Sequence, residues 1–525
     1  MDRKGFDVKI LDCTLRDGGY YTNWDFDINL VQNYFESFNK LPVEYLEIGY
    51  RSNPMKSYLG EYFYCPPHVL QRCKKSSNKK LVIILNEKDV RAKDAEALLK
   101  PCIGYIDMVR LAIDPQNFKR ALSLAEAVKK LGFEVGFNVM YMSAWENQKE
   151  FLGQIREVNG IADYFYMVDS FGGVYPEEVK KTYDIVRNQT DVKIGFHGHN
   201  NLQLGLINTL TAIDCGVSIV DATVTGMGRG AGNLSTELLL TALNAKGKLE
   251  ENLDFNALSK VVDPFAKLQT SYGWGSNLSY MVSGAHSLPQ KEVMEWVTKR
   301  YYSLNSIIRA LSNQSKGIKD NQELKKLDFE DVKKHDSVLL IGGGPNAVRH
   351  SIAIKEFLVK HPEIAVVHAS SKNAKSFEEI SNEQFFCLVG NEGHRLEEVF
   401  NFKSKISGKC ILPPYPRKMG TYIPNALNDC SYELSKVDFT DRFADSHTAI
   451  ALQTAIELGA KQIFLTGYDG YSGDTIGKKE QDLFLENEML FDQFTRTYDV
   501  PLISITSTLY EGLKEDSIYS KIEEE

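Results

Sequence analysis

Apolar and polar positions follow two rhythms along the first half of this chain. Short runs dense in β-branched and aromatic residues alternate with longer stretches whose apolar residues recur at helical spacing. Eight runs read as strands: 8–14 (VKILDCT), 43–49 (VEYLEIG), 80–85 (KLVIIL), 106–112 (IDMVRLA), 133–140 (FEVGFNVM), 163–169 (DYFYMVD), 193–199 (KIGFHGH) and 218–224 (SIVDATV). Segments such as DAEALLKPC, RALSLAEAVKKLG and NTLTAIDCG supply helices between them. The last two end in glycine, which suits a helix C-cap. The strand starts lie roughly 25 to 40 residues apart, room for one crossover helix each. Eight such units in about 240 residues predict an α/β fold of the (β/α)8 TIM-barrel type. A doubly wound sheet would need neither eight evenly spaced units nor polar residues at most strand ends.

Beyond residue 250 the pattern becomes more polar and helical, and SKGIKDNQELKKLDFEDVKKHD reads as a linker. At SVLLIGGGPNAVRH (337–350) a second α/β pattern begins, with AVVHAS, FFCLVG, KCILPP and KQIFLTGYDG as further strands. The expected organisation is a barrel catalytic domain over 1–250, a helical cap and linker over 251–330, and a separate Rossmann-like α/β domain over 331–525.

Composition narrows the functional classes. A net charge of −9 argues against a broad nucleic-acid surface. The eight cysteines form no CxxC pair, so neither a zinc ribbon nor a disulfide framework is expected. The start, MDRKGFDVKILD, lacks the apolar core of a signal peptide. No apolar run approaches the ~20 residues of a membrane helix. The expected location is the cytoplasm.

In a barrel of this kind the carboxyl ends of the strands build the active site. LDCTLRDGGYY (11–21) is therefore informative, because Arg16 and Asp17 close an apolar run and are costly to bury unless paired or bound to an ion. The glycines that follow permit a sharp turn or a close approach. Later strand ends carry Glu47, Arg110, Asn138, Asp169, Ser170, His197, His199, Asp221 and Thr223, then Arg229 and Asn233 in GMGRGAGN. His197 and His199, two apart on a strand, point to one face. Two imidazoles there, with Asp17 from another strand end and the amide oxygen of Asn233, form a candidate divalent-metal set with positions left for substrate oxygens. Glu47, Arg110, Asn138, Asp169, Ser170 and Thr223 are the candidate substrate-binding residues.

TLRDGG, HGHNN and GMGRGAGNLSTE, in that order, resemble the metal-dependent TIM-barrel lyase and aldolase superfamily, over about residues 5 to 285. The resemblance is nearest to 4-hydroxy-2-oxovalerate aldolase, and also takes in isopropylmalate synthase and 3-hydroxy-3-methylglutaryl-CoA lyase. It implies that Asp17, His197 and His199 bind Mn²⁺ or Mg²⁺, with Asn233 as a further ligand. It also implies that Arg16 holds the enolate oxygen of a 2-oxo acid such as pyruvate, which reacts with an aldehyde. A cation and a guanidinium beside a developing oxyanion lower its energy. The aldolase carries a basic His three positions after the metal-binding Asp; here that residue is Tyr20, whose ordinary pKa is near 10. Tyr20, Tyr21, Tyr280 and a metal-bound water all stay open as the base. The cysteine loop of the CoA lyase is absent. SYGWGSNLSYMVSGAH (271–286) resembles the aldolases' helical cap, with Tyr272 and Tyr280 as its candidate tyrosines.

In the second domain VLLIGGGPNA places a glycine turn between a strand and a helix, an arrangement suited to a phosphate. With LTGYDGYSGD it is similar to a nucleotide-binding fold of bacterial sialyltransferases. That similarity implies a sugar-nucleotide ligand near Gly342, Gly343, Gly344, Asn346 and Asp469, and a setting in surface-polysaccharide synthesis. His447 reads as a structural residue at a helix start. Three functional readings follow: a metal-dependent aldolase, an acyl-CoA-dependent 2-oxo acid synthase, and a protein whose main activity is a C-terminal glycosyl or nucleotide transferase. A homodimer is expected from analogy with related barrels.

Overall fold

The computed structural model describes residues 8–523, apart from 57, 250–251, 299–301, 328–331, 391, 402–406 and 472–477. The chain divides into two compact units, residues 1–294 and 295–525.

In the first unit all eight expected runs become parallel strands: β1 (Lys9–Asp12), β2 (Tyr45–Tyr50), β3 (Lys80–Asn86), β4 (Met108–Ile113), β5 (Glu134–Val139), β6 (Tyr164–Asp169), β7 (Lys193–Gly198) and β8 (Ile219–Ala222). They close in sequence order, β1 pairing with β8 so that Asp12 lies beside Ala222. The barrel interior is packed by Leu11, Tyr45, Val82, Met108, Tyr164, Tyr166 and Ile219. At its amino-terminal end Lys9 Nζ reaches the Tyr164 hydroxyl (3.1 Å), and the Tyr45 hydroxyl donates to Glu134 (2.8 Å). Those contacts close side chains over that end, and the polar residues lie at the opposite, carboxyl end, where barrels of this kind build their sites.

One local expectation needs correction. Residues after β1 do not make a turn at the two glycines; Thr14–Thr22 is a helix. Gly18 and Gly19 have ordinary helical backbone, and their role is close approach. A Cβ at Gly19 would lie 2.2 Å from the Trp24 ring, and one at Gly18 would lie 2.5 Å from Met227 Sδ.

Helices Phe255–Tyr272, Leu278–Ala285, Gln290–Thr298 and Leu304–Ser315 follow the barrel. The unit boundary falls within the third, so the 251–330 stretch is divided between the units. Part of the expected linker, residues 328–331, lies outside the described residues.

The second unit is an eight-stranded parallel sheet, made of β9 (Ser337–Ile341), β10 (Ala365–His368), β11 (Gln384–Cys387), β12 (Lys409–Leu412), β13 (Ser431–Glu433), β14 (Gln462–Thr466), β15 (Leu502–Ser504) and β16 (Lys514–Glu515). The spatial order is β13-β12-β11-β10-β9-β14-β15-β16. The chain winds outward from β9 in both directions, so the topological switch lies between β9 and β14. Five of these strands were legible as apolar runs; β13, β15 and β16, of two or three residues, are too short to show a period. No helix among the described residues is long and apolar enough to cross a membrane. All eight cysteines are free thiols.

Candidate active site at the carboxyl end of the barrel

The helix Thr14–Thr22 starts directly after β1 and carries Arg16 and Asp17 into the barrel mouth, where they are 8 % and 3 % exposed. Burying such charges is tolerable only with partners. Arg16 Nε donates to Glu47 Oε2 (2.7 Å) and its Nη1 pairs with Asp17 Oδ1. Glu47, on β2, also accepts from Arg110 on β4 (3.2 Å). Arg110 is fully buried; its other nitrogens reach Asn138 on β5 (3.0 Å) and Asp221 on β8, and its guanidinium lies 4.2 Å from the centre of the Tyr166 ring. A chain of alternating charges thus crosses the barrel from β8 to the first helix.

His197 joins this network. Its Nδ1 donates to Asp221 Oδ2 at 2.8 Å, and its Nε2 lies 3.9 Å from Asp17 Oδ2. The second distance is too long for a hydrogen bond and suits two donors of one cation. Burial by itself raises the Asp17 carboxyl, but the Arg16 charge and the two imidazoles hold it below the ordinary carboxylate range. His199 donates Nδ1 to the backbone oxygen of Asp169 (2.8 Å). Burial, reinforced by His197, pushes its pKa down to about 3, so the ring is neutral, as a ligand must be. The two rings stand edge to face with centroids 5.1 Å apart. Asn233 is brought in by an isolated bridge to His199 and donates Nδ2 to Asp17 Oδ2 (2.7 Å).

Part of the expected donor set gathers as one divalent cation would need, but His199 is not in the group of donor atoms that lie close to one another. Donor atoms of Cys13, Asp17 and His197 lie within 4.8 Å of one another. Asn233 Oδ1 is buried without a hydrogen-bond partner among the described residues, an orphaned oxygen of the type a hard cation takes. Cys13 was not singled out from sequence. Its Sγ lies 3.8 Å from Asp17 Oδ2, and burial holds it strongly in the thiol form.

The remaining expected residues separate into two groups. Glu47, Arg110 and Asn138 are in the buried network, and Thr223 is buried with an unpartnered hydroxyl among the described residues. Asp169 instead accepts from the backbone N–H groups of Gly173 and Val174 (both 3.3 Å), and Ser170 Oγ accepts from the Tyr141 N–H (2.9 Å). Both brace loops. Tyr280 is buried against Gly230, where a Cβ would meet its ring at 2.9 Å. Burial raises its phenol strongly, and does the same to Tyr21, which donates to the Gly230 oxygen (3.3 Å). Tyr20 behaves differently. Burial, which acts to raise it, is outweighed by the Arg229 charge, the Tyr50 hydrogen bond and Arg16, so its pKa lies below the ordinary 10.

In the second unit the GGGPN turn is satisfied internally. Asp469 Oδ2 accepts from the Asn346 N–H (2.8 Å), and Asn373 Nδ2 donates to the oxygens of Gly342 (2.9 Å) and Gly344 (3.0 Å). A Cβ at Gly344 would lie 2.8 Å from Asp469, whereas one at Gly343 would make ordinary contact with Ser370 (3.8 Å) and Lys372 (3.9 Å). The Asp469 carboxylate thus accepts from the N–H that opens the short helix Asn346–Arg349. The Ser472–Asp474 end of the second motif lies outside the described residues. His447 opens the helix His447–Glu457, with Nε2 3.4 Å from the buried Glu392 carboxylate. A cavity of about 240 Å³, lined by Tyr302, Leu388, Pro413, Lys418, Arg442 and Asp445, shares no residue with the GGGPN turn.

Comparison with known proteins places this geometry. Residues 7–264 match the HMGL-like family model. An oxaloacetate decarboxylase of Mycobacterium tuberculosis is 27 % identical over 322 residues, 59 % of this chain and 92 % of that protein. A 4-hydroxy-2-oxovalerate aldolase of Bacillus cereus is 30 % identical over 259 residues, 47 % of this chain and 72 % of that protein. The crystal structure of an N-terminal domain from Bacteroides vulgatus, described as that of a candidate aldolase, superposes with a TM-score of 0.55 at 57 % identity, covering 58 % of this chain and all of that one. With its eight-stranded closed barrel and its three motifs at the barrel mouth, this chain belongs to the HMGL-like family of TIM-barrel enzymes.

Proposed function

We propose that the barrel is a divalent-metal-dependent carbon–carbon lyase that makes or breaks the bond between the enolate of a pyruvate-like 2-oxo acid and an aldehyde. The observation that carries this reading is the buried Asn233 Oδ1, without a hydrogen-bond partner among the described residues, on a side chain bonded to the Asp17 carboxylate that the His197 imidazole also approaches. Asp17, His197, His199 and Asn233 would hold the ion. Their hard oxygen and imidazole donors suit Mn²⁺ or Mg²⁺. The bound cation would supply Lewis acidity toward the keto oxygen of the substrate.

The protein's own groups account for the rest. Arg16 has Nε and Nη1 committed to Glu47 and Asp17, which fix the guanidinium plane. A guanidinium held in this way suits the planar oxygens of an α-keto acid. Asp221 fixes the His197 tautomer with Nε2 as the free lone pair. Arg110 pairs with both Glu47 and Asp221, and with Arg16 the network sets two guanidiniums against three carboxylates, so that the mouth keeps a net negative charge suited to a cation.

The resemblance to an oxaloacetate decarboxylase over 92 % of its length favours a second reading, loss of CO₂ from a 3-carboxy-2-oxo acid. Both reactions pass through the same 2-oxo acid enolate. Purified protein is therefore tested for bound Mn²⁺ or Mg²⁺ and for exchange of the pyruvate methyl protons in D₂O. Metal-dependent exchange, lost in His197→Ala along with the ion, is the expected result. A protein that holds no divalent metal and leaves pyruvate unexchanged refutes both readings. Cleavage of 4-hydroxy-2-oxovalerate against release of CO₂ from oxaloacetate then separates them.

A further inference from the structure

Tyr20 stands one helical turn beyond Arg16 and Asp17 and lies on the same helix face. Its hydroxyl receives a hydrogen bond from Arg229 Nη2 at 2.7 Å and lies 3.2 Å from the Tyr50 hydroxyl. The Arg229 guanidinium also sits 4.3 Å from the centre of the Tyr20 ring. Among the described residues no carboxylate pairs with Arg229. A partly buried guanidinium whose hydrogen-bond partner among the described residues is a phenol oxygen is unusual, because such cations are expected to find a carboxylate. Trp24 packs edge-on against Tyr20 at 5.1 Å and against Tyr50 at 5.5 Å, which holds both rings in place.

We propose that Arg229 is a positioning residue that, with Tyr50, sets Tyr20 as the proton-transfer group of the barrel site. Arg229 donates to the Tyr20 oxygen, and when the Tyr50 hydroxyl donates as well, that oxygen accepts twice and the phenol's own proton is left for the substrate. The two hydrogen bonds and the nearby positive charge favour the phenolate. The other groups that act on Tyr20 are Arg16, which assists, and Asp17, which opposes. Tyr141 also senses both Tyr20 and Arg229. The phenolate removes a proton from C3 of the 2-oxo acid; the C–H electron pair passes to the keto group as the enolate, and in reverse the phenol returns the proton to C3. No further reactant is required. The inference rests on the 2-oxo acid reading above and serves the aldol and decarboxylation routes alike.

The test combines two measurements on full-length wild type, Tyr20→Phe, Arg229→Gln and Arg229→Lys, each checked for folding by near-ultraviolet circular dichroism. The first is pyruvate methyl exchange in D₂O with Mn²⁺ as a function of pH. Tyr20→Phe should lose about 100-fold in exchange rate, the scale of a removed acid–base group. Arg229→Gln should move the rising limb of the pH profile up by about one unit, with KM for pyruvate changed less than about threefold, and Arg229→Lys should restore part of the rate. The second is ultraviolet titration of tyrosinate without substrate. Wild type should show one tyrosine, absent in Tyr20→Phe, that ionises below the ordinary value near 10 and moves up in Arg229→Gln. An exchanging enzyme in which Tyr20→Phe keeps its rate, or in which Arg229→Gln shifts neither profile, overturns the inference alone. A wild type that shows the tyrosinate shift but no exchange overturns the 2-oxo acid reading, and the proton-transfer role with it.

Discussion

Asp221 accepts a hydrogen bond from His197 Nδ1 at 2.8 Å and, on the same oxygen, pairs with Arg110. One carboxylate on β8 therefore decides which ring nitrogen of His197 is free and ties it to the charge network beneath. A carboxylate behind an imidazole raises its basicity and fixes its orientation toward an ion. Asp221→Asn should weaken Mn²⁺ binding by about 10- to 100-fold, the usual scale for losing such a partner. Calorimetric titration of the folded variant with Mn²⁺ checks this, and unchanged affinity would show that Asp221 serves only Arg110.

Arg110 is the centre of that network, shared by Glu47, Asn138 and Asp221 with no exposure to solvent. Replacing it with Met keeps an unbranched apolar stem but removes a cation that two buried carboxylates share, leaving Glu47 with Arg16 and Asp221 with His197. The expected loss of stability is about 3 to 5 kcal/mol. A chemical-denaturation comparison at neutral pH measures it; a loss within about 1 kcal/mol would mean that the carboxylates take up protons or water at little cost.

Asp169 links stability to pH. Burial raises its carboxyl from the ordinary 3.8 to about 7, against the backbone N–H groups of 172–174 that favour the ion. The folded state thus binds the proton more tightly than the unfolded chain. Stability from this group is fully present below about pH 4 and is lost as pH rises through about 7. Tm of the wild type should fall between pH 5 and pH 8 more steeply than that of Asp169→Asn. Parallel slopes in the two proteins would assign the pH dependence elsewhere, Asp12 being the next group, raised by burial to about 6.

The glycine pair offers a steric test. Alanine is intrinsically the better helix former by about 1 kcal/mol. At Gly18 the added methyl meets the flexible end of Met227; at Gly19 it meets the Trp24 indole, whose Nε1 is bonded to the Arg16 oxygen at 2.8 Å. Gly18→Ala should be nearly neutral in Tm, and Gly19→Ala should cost about 1 to 3 kcal/mol, the range for overpacking a fixed site. Equal effects would show that Trp24 can move aside.

Much of the first unit can be read from local pattern alone. Each of the eight strands is a dense apolar run, and the βα alternation admits one closure, so β1 meets β8 without further information. TLRDGG, HGHNN and GMGRGAGN likewise place their residues at strand ends because alternation and length dictate where a strand stops. The sequence could not say that Thr14–Thr22 would be helical, because two glycines in nine residues weaken the local signal, and it is tertiary crowding by Met227 and Trp24 that requires them. Nor could it show that Arg229 would meet Tyr20, 209 positions away, that Cys13 would turn toward Asp17, or that Asp469 would accept from the Asn346 N–H. Periodicity is a local property carried by neighbouring residues. Which buried charge finds which partner is settled only when distant strand ends converge, because the desolvation cost of each is met by groups the chain brings from elsewhere.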